Sequence, residues 1–471
     1  MSSGEKRIAV IAYEDHAAVQ RSSTVRIFRA GRTLPCSRQS GMADAIPPTP
    51  RRALGFWPTL ALVVGNMIGS GIYLLPATLA PLGSNALIGW GATIAGAMTL
   101  AFVFARLAAK LPCAGGPYAF ADAAFGPVVG FAVAWSYWIL IWAGNGALAI
   151  AVVSALSVPF PAIASGAPAF ATALLLIWAL VAVNMRGVVL AGRIQLVTTL
   201  VKLVPLVMVI LLALWLLLAN GGSAIVDNPP VPISAGAVSA AVALTFWGFL
   251  GVESATVPAD RVKDAARIVP RVTLIGTALT GLVYLLVAGA IGLMMPVALT
   301  AASPAPLAAF LGRAWGPGAL EIAAIFAAIS ALGALNGFIL LQGEVPRAMA
   351  RGGVFPGWFG KDGTRGTPTR AHLVSGGLVT IVMALNYTGS TGALFADIAT
   401  ISLAAGMLAY FVSALAALKL LAGDRTAKLA AIVSAAFVLW MIYGLGLRAN
   451  LWGLGLLALG LPVFLWVRRS R

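Results

Sequence analysis

The chain has 471 residues, 60% of them hydrophobic and only 10% charged, with a mean hydropathy of +0.96. A water-soluble core cannot absorb that much apolar surface, so the composition excludes a soluble catalytic domain and indicates an all-α, polytopic membrane protein. The formal net charge of +17 would suggest a nucleic-acid partner, but the placement of the charges argues for another origin.

Residues 1–50 are polar and basic, without the apolar h-region of a secretory signal. They read as a disordered basic tail. Met42, which opens "MADAIPPTPRR", reads as an alternative start. A single transmembrane domain is expected over 51–471. Apolar runs separated by charged or Pro/Gly-rich loops give about twelve spans, near 54–80, 87–110, 126–157, 168–185, 192–219, 235–258, 272–296, 317–345, 372–388, 393–419, 427–446 and 450–467.

The loops test that count. Twenty-one lysines and arginines fall on alternate loops and the adjoining ends: among them Arg51 and Arg52, Arg106 and Lys110, Arg261 to Arg271, and Arg347 to Arg370. The opposite loops hold only Arg313 and Arg448. The positive-inside rule then places both termini in the cytoplasm. The charge is therefore an orientation signal, and no nucleic acid is implied. The Arg261–Arg271 loop reads as a cytoplasmic face able to meet anionic lipid. Cys36, Cys113, His16 and His372 lack metal-ligand spacing, so no metal or cofactor is expected.

The first span contains "GNMIGSGIYLLP", Gly65 to Pro76. Glycine costs a helix interior roughly 1 kcal/mol relative to alanine. In hydrocarbon, an opened helix also strands backbone polar groups at several kcal/mol each. The sixth span repeats the weakness in "TFWGFLGVESATVP", where Gly248 and Gly251 precede Glu253. Glycine-interrupted spans at corresponding positions of two halves point to a transporter's binding site. One half-helix would present its positive dipole end to a carboxylate, and the other its carbonyls to an ammonium, so the pair suits a zwitterion. Tight helix packing is the competing explanation for such glycines.

Four stretches resemble the amino acid–polyamine–organocation (APC) transporters: "GNMIGSGIYLLPATLA", "PCAGGPYAFADAAFGP", "FWGFLGVESATVPADRVKDAARIVPR" and "ALNGFILLQGEVPRAMARGGVFPGWFGKDGTRGTP". The resemblance runs from residue 53 onward and leans to the basic amino acid/polyamine antiporters of arginine/agmatine type. It implies two inverted five-helix repeats, spans 1–5 and 6–10, plus two further helices, with spans 1 and 6 unwound mid-membrane. It also implies a plasma (inner) membrane permease for an amino acid, and it is compatible with a homodimer.

By the same resemblance, Asn66, Ile68, Ser70 and Gly71 would surround the substrate's carboxylate and amine, together with Trp247, Leu250 and Gly251 from span six. Trp247 would close the outer path. It lies about 18 Å into its span at 1.5 Å per residue, too deep for an interfacial belt. Tyr137, Leu140, Ile141, Asn145 and Leu148 would face the substrate from span three, and Phe338 from span eight. A helix–helix hydrogen bond is the other reading of Asn145. Phe338 stands where the arginine/agmatine type has a tryptophan, and Leu140 and Ile141 where it has smaller residues. These departures imply a tighter, more apolar pocket, with a weaker face for a cation.

Two charges within the spans are candidates for coupling. Lys202 in "TTLVKLVPL" follows Arg193 by nine residues, roughly 14 Å into a core about 30 Å thick. An intramembrane ionisable group is a candidate functional group. In other family members a lysine in this context stands in for a sodium ion. It is also a candidate proton carrier, or a fixed structural charge. Glu253 is a second candidate for coupling or gating. Gly453, Gly455 and Ala458 spell GxGxxA inside the last span, where the pattern is helix packing and not a dinucleotide site. The expectation is thus a secondary active permease, proton-linked or exchanging, for a neutral amino acid. A cationic amino acid/polyamine exchanger is the alternative, and a non-transporting amino-acid sensor a third. No enzyme or channel signature is present.

Overall fold

The structure is a computed structural model that describes residues 54–469 apart from 304, 317 and 387–390. The expected N-terminal tail and its alternative start lie outside the described residues. Among the described residues the fold is all-helical, and its isolated β-bridge joins Leu54 to Val262. Ten of the helical stretches described are long and apolar enough to cross a membrane, which makes this a multi-pass membrane protein.

In chain order, α1 (Phe56–Met67) and α2 (Gly71–Leu79) lead to α3 (Ser84–Lys110) and the short α4 (Pro117–Phe125). Then come α5 (Pro127–Leu156), α6 (Gly166–Arg186), α7 (Val188–Asn220), α8 (Ala235–Phe246) and α9 (Ala265–Met294). Two short helices follow, α10 (Val297–Ala302) and α11 (Pro306–Trp315), then α12 (Ala319–Arg351), α13 (Thr369–Asn386) and α14 (Thr391–Leu420). The chain closes with α15 (Arg425–Ala458) and α16 (Gly460–Arg469). α15 has a non-helical residue, Gly446 (φ 79°, ψ 166°), at the junction of the expected eleventh and twelfth spans.

Helix α5 is apolar all round and almost wholly buried, as a central helix must be. Helix α7 has opposite faces of opposite character. Gln195, Thr198, Thr199 and Lys202 recur at helical spacing and are buried, while Leu200, Val204, Val207, Leu211, Leu214 and Leu218 are exposed. A polar stripe inside and an apolar stripe outside is the pattern of a helix solvated by lipid. Small residues let the helices approach closely: a Cβ at Gly96 would lie 2.4 Å from Phe437, and one at Gly89 2.4 Å from Ala241.

One expectation needs correction. Arg261 and Arg347 do not present their charges to solvent or lipid; both are buried. Arg347 donates to Asp362 (2.9 Å), Asp260 (3.0 Å) and Glu344, while Arg261 lies 3.3 Å from Glu344. Arg351 adds a bond to Asp362 (2.9 Å). Charge taken out of water must be paired, and this cluster ties the segment after span six to the end of α12 and the loop beyond it. Arg267 remains largely exposed.

Candidate functional site

The chain leaves helical geometry at two places that face each other. α1 stops at Met67 and α2 begins at Gly71, with Ile68, Gly69 and Ser70 between them. α8 stops at Phe246 and passes through a 3₁₀ turn, Trp247–Phe249, into Leu250 and Gly251. Gly251 has φ +106°, a conformation that favours glycine, and a Cβ there would lie 2.6 Å from the Asn66 Cβ. The breaks are tied directly: Asn66 Nδ2 donates to Ser254 Oγ at 2.8 Å, and Tyr284 Oη reaches both Met67 O (2.6 Å) and Gly248 O (3.1 Å).

A helix interrupted in a buried place frees carbonyls that need donors. Lys202 Nζ donates to Gly65 O (2.8 Å) and Ile68 O (2.6 Å). Ser330 Oγ reaches Gly69 O (3.0 Å) and Ile68 O (3.3 Å). Thr199 Oγ1 adds a bond to Ala61 O, inside α1, at 3.2 Å. The first break is thus held from α7, α9 and α12. At the second break, Glu253 is fully buried, and its two oxygens accept from Tyr137 Oη (2.6 Å) and Tyr410 Oη (2.8 Å).

Between the breaks lies a small cavity. Asn66, Met67, Gly69 and Gly71 line it from the first break, and Trp247 and Leu250 from the second. Leu140, Ile141, Gly144 and Leu148 of α5 and Phe338 of α12 complete it. A Cβ on Gly71 would come within 3.3 Å of Trp247 Cδ1, so the backbone there is close to the indole. None of these lining side chains carries a charge.

Eight of the residues singled out from the sequence therefore share one cavity wall: Asn66, Gly71, Leu140, Ile141, Leu148, Trp247, Leu250 and Phe338. The others lie around it. Ile68 contributes its carbonyl to Lys202 and Ser330, and Gly251 packs behind Asn66. Tyr137 binds Glu253, while Asn145 Nδ2 donates to Gln342 Oε1 at 2.8 Å, the helix–helix bond that was its other reading. Ser70 lines a separate cavity beyond the break. Sequence reasoning did not single out Tyr284, Ser330, Tyr410, Gln195 or Gln342. Tyrosine, serine and glutamine deep in apolar runs must find partners, and that was the available signal.

The cavity is walled by two interrupted helices, and among the described residues its lining side chains include no acid or base. The chain belongs to the amino acid permease family, whose model matches residues 54–461. Among curated relatives, the cadaverine/lysine antiporter of Escherichia coli (strain K12) is 34% identical over 367 residues, covering 77% of this chain and 82% of the relative. The arginine/ornithine antiporter of Pseudomonas aeruginosa is 32% identical over 411 residues, 82% of this chain and 85% of the relative. The arginine/agmatine antiporter of Chlamydia abortus is 27% identical over 439 residues, 88% of this chain and 89% of the relative. The protein is a secondary amino-acid transporter.

Proposed function

We propose that the chain carries an α-amino acid across a bacterial-type inner membrane, binding it as a zwitterion in the cavity between the two breaks, with both termini cytoplasmic. The protein would cross twelve times. The Arg425–Arg469 stretch is 45 residues long, about twice what one crossing needs, and Gly446 interrupts it. The first ten crossings read as two inverted repeats with matched packing. The third packs on the tenth (α5 with α14) as the eighth packs on the fifth (α12 with α7). The first packs on the seventh (α1 with α9) as the sixth packs on the second (α8 with α3).

The observation that carries the substrate reading is the absence of charge on the cavity's lining side chains. The substrate's own charges would then be met by backbone: the N–H groups opening α2 for the carboxylate, and the carbonyls of the break for the amine. The apolar wall of Leu140, Ile141, Leu148 and Phe338 favours a neutral, apolar side chain. Lys202 and Glu253 are the candidates for coupling to protons, with uptake or exchange as the transport mode.

A second reading, exchange of a cationic amino acid against a polyamine, is favoured by the names of the relatives. Counterflow of labelled substrate in proteoliposomes decides between them. Leucine or alanine should exchange and protect the purified protein against heat, while lysine, arginine, ornithine, cadaverine and agmatine should not. Exchange of the cations alone would reverse the assignment. Binding without counterflow would make the protein a sensor.

A further inference from the structure

A second cavity, roomier than the first, lies on the other side of the first break. It shares no lining residue with the substrate cavity. Gly69 and Gly71 face the substrate cavity, and Ser70 between them faces this chamber. Alanines make much of its wall, Ala151 and Ala155 of α5 and Ala323, Ala324 and Ala327 of α12 among them, together with Leu74, Val158 and Leu307. Its polar groups are serines and one tyrosine. Ser70 is buried, yet its Oγ has no hydrogen-bond partner. A buried hydroxyl left unpaired beside a roomy cavity is a position for water.

The chamber leads toward Lys202. Along α12, residues 323, 327, 330 and 333 fall on one face. The first two line the chamber, and Ser330 sits one turn deeper, bonded to Ile68 O and Gly69 O. At Gly333 a Cβ would come 3.0 Å from Lys202 Nζ. Ile68 O is the acceptor that Ser330 and Lys202 share. Tyr73, on the chamber wall, donates to Lys202 O at 3.2 Å.

We propose that this chamber is an aqueous route, separate from the substrate path, by which a proton from the outer solution reaches Lys202. The inference rests on the proton-linked reading above. A water at the chamber floor gives a proton to the neutral lysine amine. The hydroxide left behind is neutralised by the next proton from outside, so the site gains one proton and one positive charge. The groups around the amine suit that exchange. Tyr73 from α2 and Tyr284 from α9 are the nearby titratable groups, and both hydroxyls are engaged with backbone carbonyls. On the other elements packed against α7, Arg186 ends α6 and Arg313 of α11 bonds Met294 O. Glu321 is exposed at the start of α12, and Glu344 and Arg347 belong to the buried cluster. Among the described residues none forms an ion pair with Lys202, whose amine is held by the carbonyls of Gly65 and Ile68.

The test fills the chamber from two walls. Ala327→Leu and Ala155→Leu are reconstituted in vesicles holding a pH-sensitive dye. Substrate-driven proton movement should fall at least tenfold in each, while exchange of labelled substrate at equal pH on both sides stays within twofold. In a background with both native cysteines replaced, Ala327→Cys should react with a small, membrane-impermeant thiol reagent from outside even under saturating substrate. Wild-type protein that moves no protons with substrate overturns the proton-linked reading and this proposal with it. Wild type that moves protons, with both leucine variants moving them equally, overturns the proposal alone. So does an equal fall of proton movement and exchange, or an Ala327→Cys protein that stays unmodified.

Discussion

The two helix breaks solve the same problem in opposite ways. At the first, freed carbonyls are met by a cation: Lys202 reaches across from α7 to Gly65 O and Ile68 O. At the second, the buried group is an anion, and it is met by neutral hydroxyls, Tyr137 and Tyr410, on Glu253. Neither charge has an ion-pair partner among the described residues. The end of α12 differs again, with Arg261 and Arg347 paired to Glu344, Asp260 and Asp362. Paired charges lock a structure. Single charges held by dipoles can gain or lose a proton without leaving a partner stranded. Under the proposed proton-linked reading the breaks are where a proton is exchanged, and the Arg261–Arg347 cluster is where position is fixed.

The largest effect should come from removing the cation at the first break. Lys202→Ala leaves Gly65 O without a side-chain donor, and Ile68 O with only the 3.3 Å contact from Ser330. An unsatisfied buried acceptor costs about 1–3 kcal/mol, enough to reduce substrate affinity by roughly tenfold or more. Substrate-induced thermal shifts and uptake from pH 5 to 8 are the measurements. Wild-type affinity with an unaltered pH profile would show that the first break stands without its lysine.

Stability should separate the breaks as well. Gly251→Ala must hold a side chain at φ +106° and push Asn66, whereas Gly71→Ala meets Trp247 Cδ1 at 3.3 Å. Strain of the first kind costs about 1–3 kcal/mol. The melting temperature should therefore fall clearly for Gly251→Ala and little for Gly71→Ala, which should instead lose substrate affinity. Equal melting temperatures would mean the second break is no more tightly specified than the first.

Glu253→Gln is a gentler probe. The amide keeps the carboxylate's shape, and one tyrosine hydroxyl can turn to accept from it, so packing and hydrogen bonds survive. Substrate binding should stay within about threefold, while the pH dependence of net uptake flattens. A retained pH profile would move the coupling proton to Lys202 alone.

Much of this site was legible because membrane physics leaves few reasons for polar or helix-breaking residues in a span. Gly69, Gly71, Gly248 and Gly251, with Lys202 and Glu253, stand out against the apolar runs of the sequence itself. Cavity-facing positions such as Leu140 and Leu148 were not readable from periodicity, because α5 is apolar all round; the family resemblance supplied them. Pairing was legible only for Glu344 and Arg347, three residues apart on one helix. Only the fold brings Arg261 to Glu344, and Asp260 and Asp362 to Arg347. Ser70 and Gly71 are adjacent in sequence, yet the break turns them into different cavities.

The smallest predicted effect concerns selectivity, and it tests which substrate the apolar wall prefers. Phe338 stands on the cavity wall with Leu140 and Ile141. Tryptophan has a stronger cation–π face than phenylalanine, and the gain is about 0.5–1 kcal/mol where the cation stays partly hydrated. The indole is also larger, and overpacking a filled space costs about 1–3 kcal/mol. Phe338→Trp alone should therefore weaken all substrates. Combined with Leu140→Ala, which opens room beside it, the double variant should raise binding of lysine or arginine relative to leucine by roughly two- to fivefold, the range that cation–π energy allows. Competition against a labelled neutral substrate in the single and double variants reads this ratio directly. An unchanged ratio would mean that the ring at position 338 does not face the substrate's side chain, and that selectivity is set elsewhere on the α5 wall.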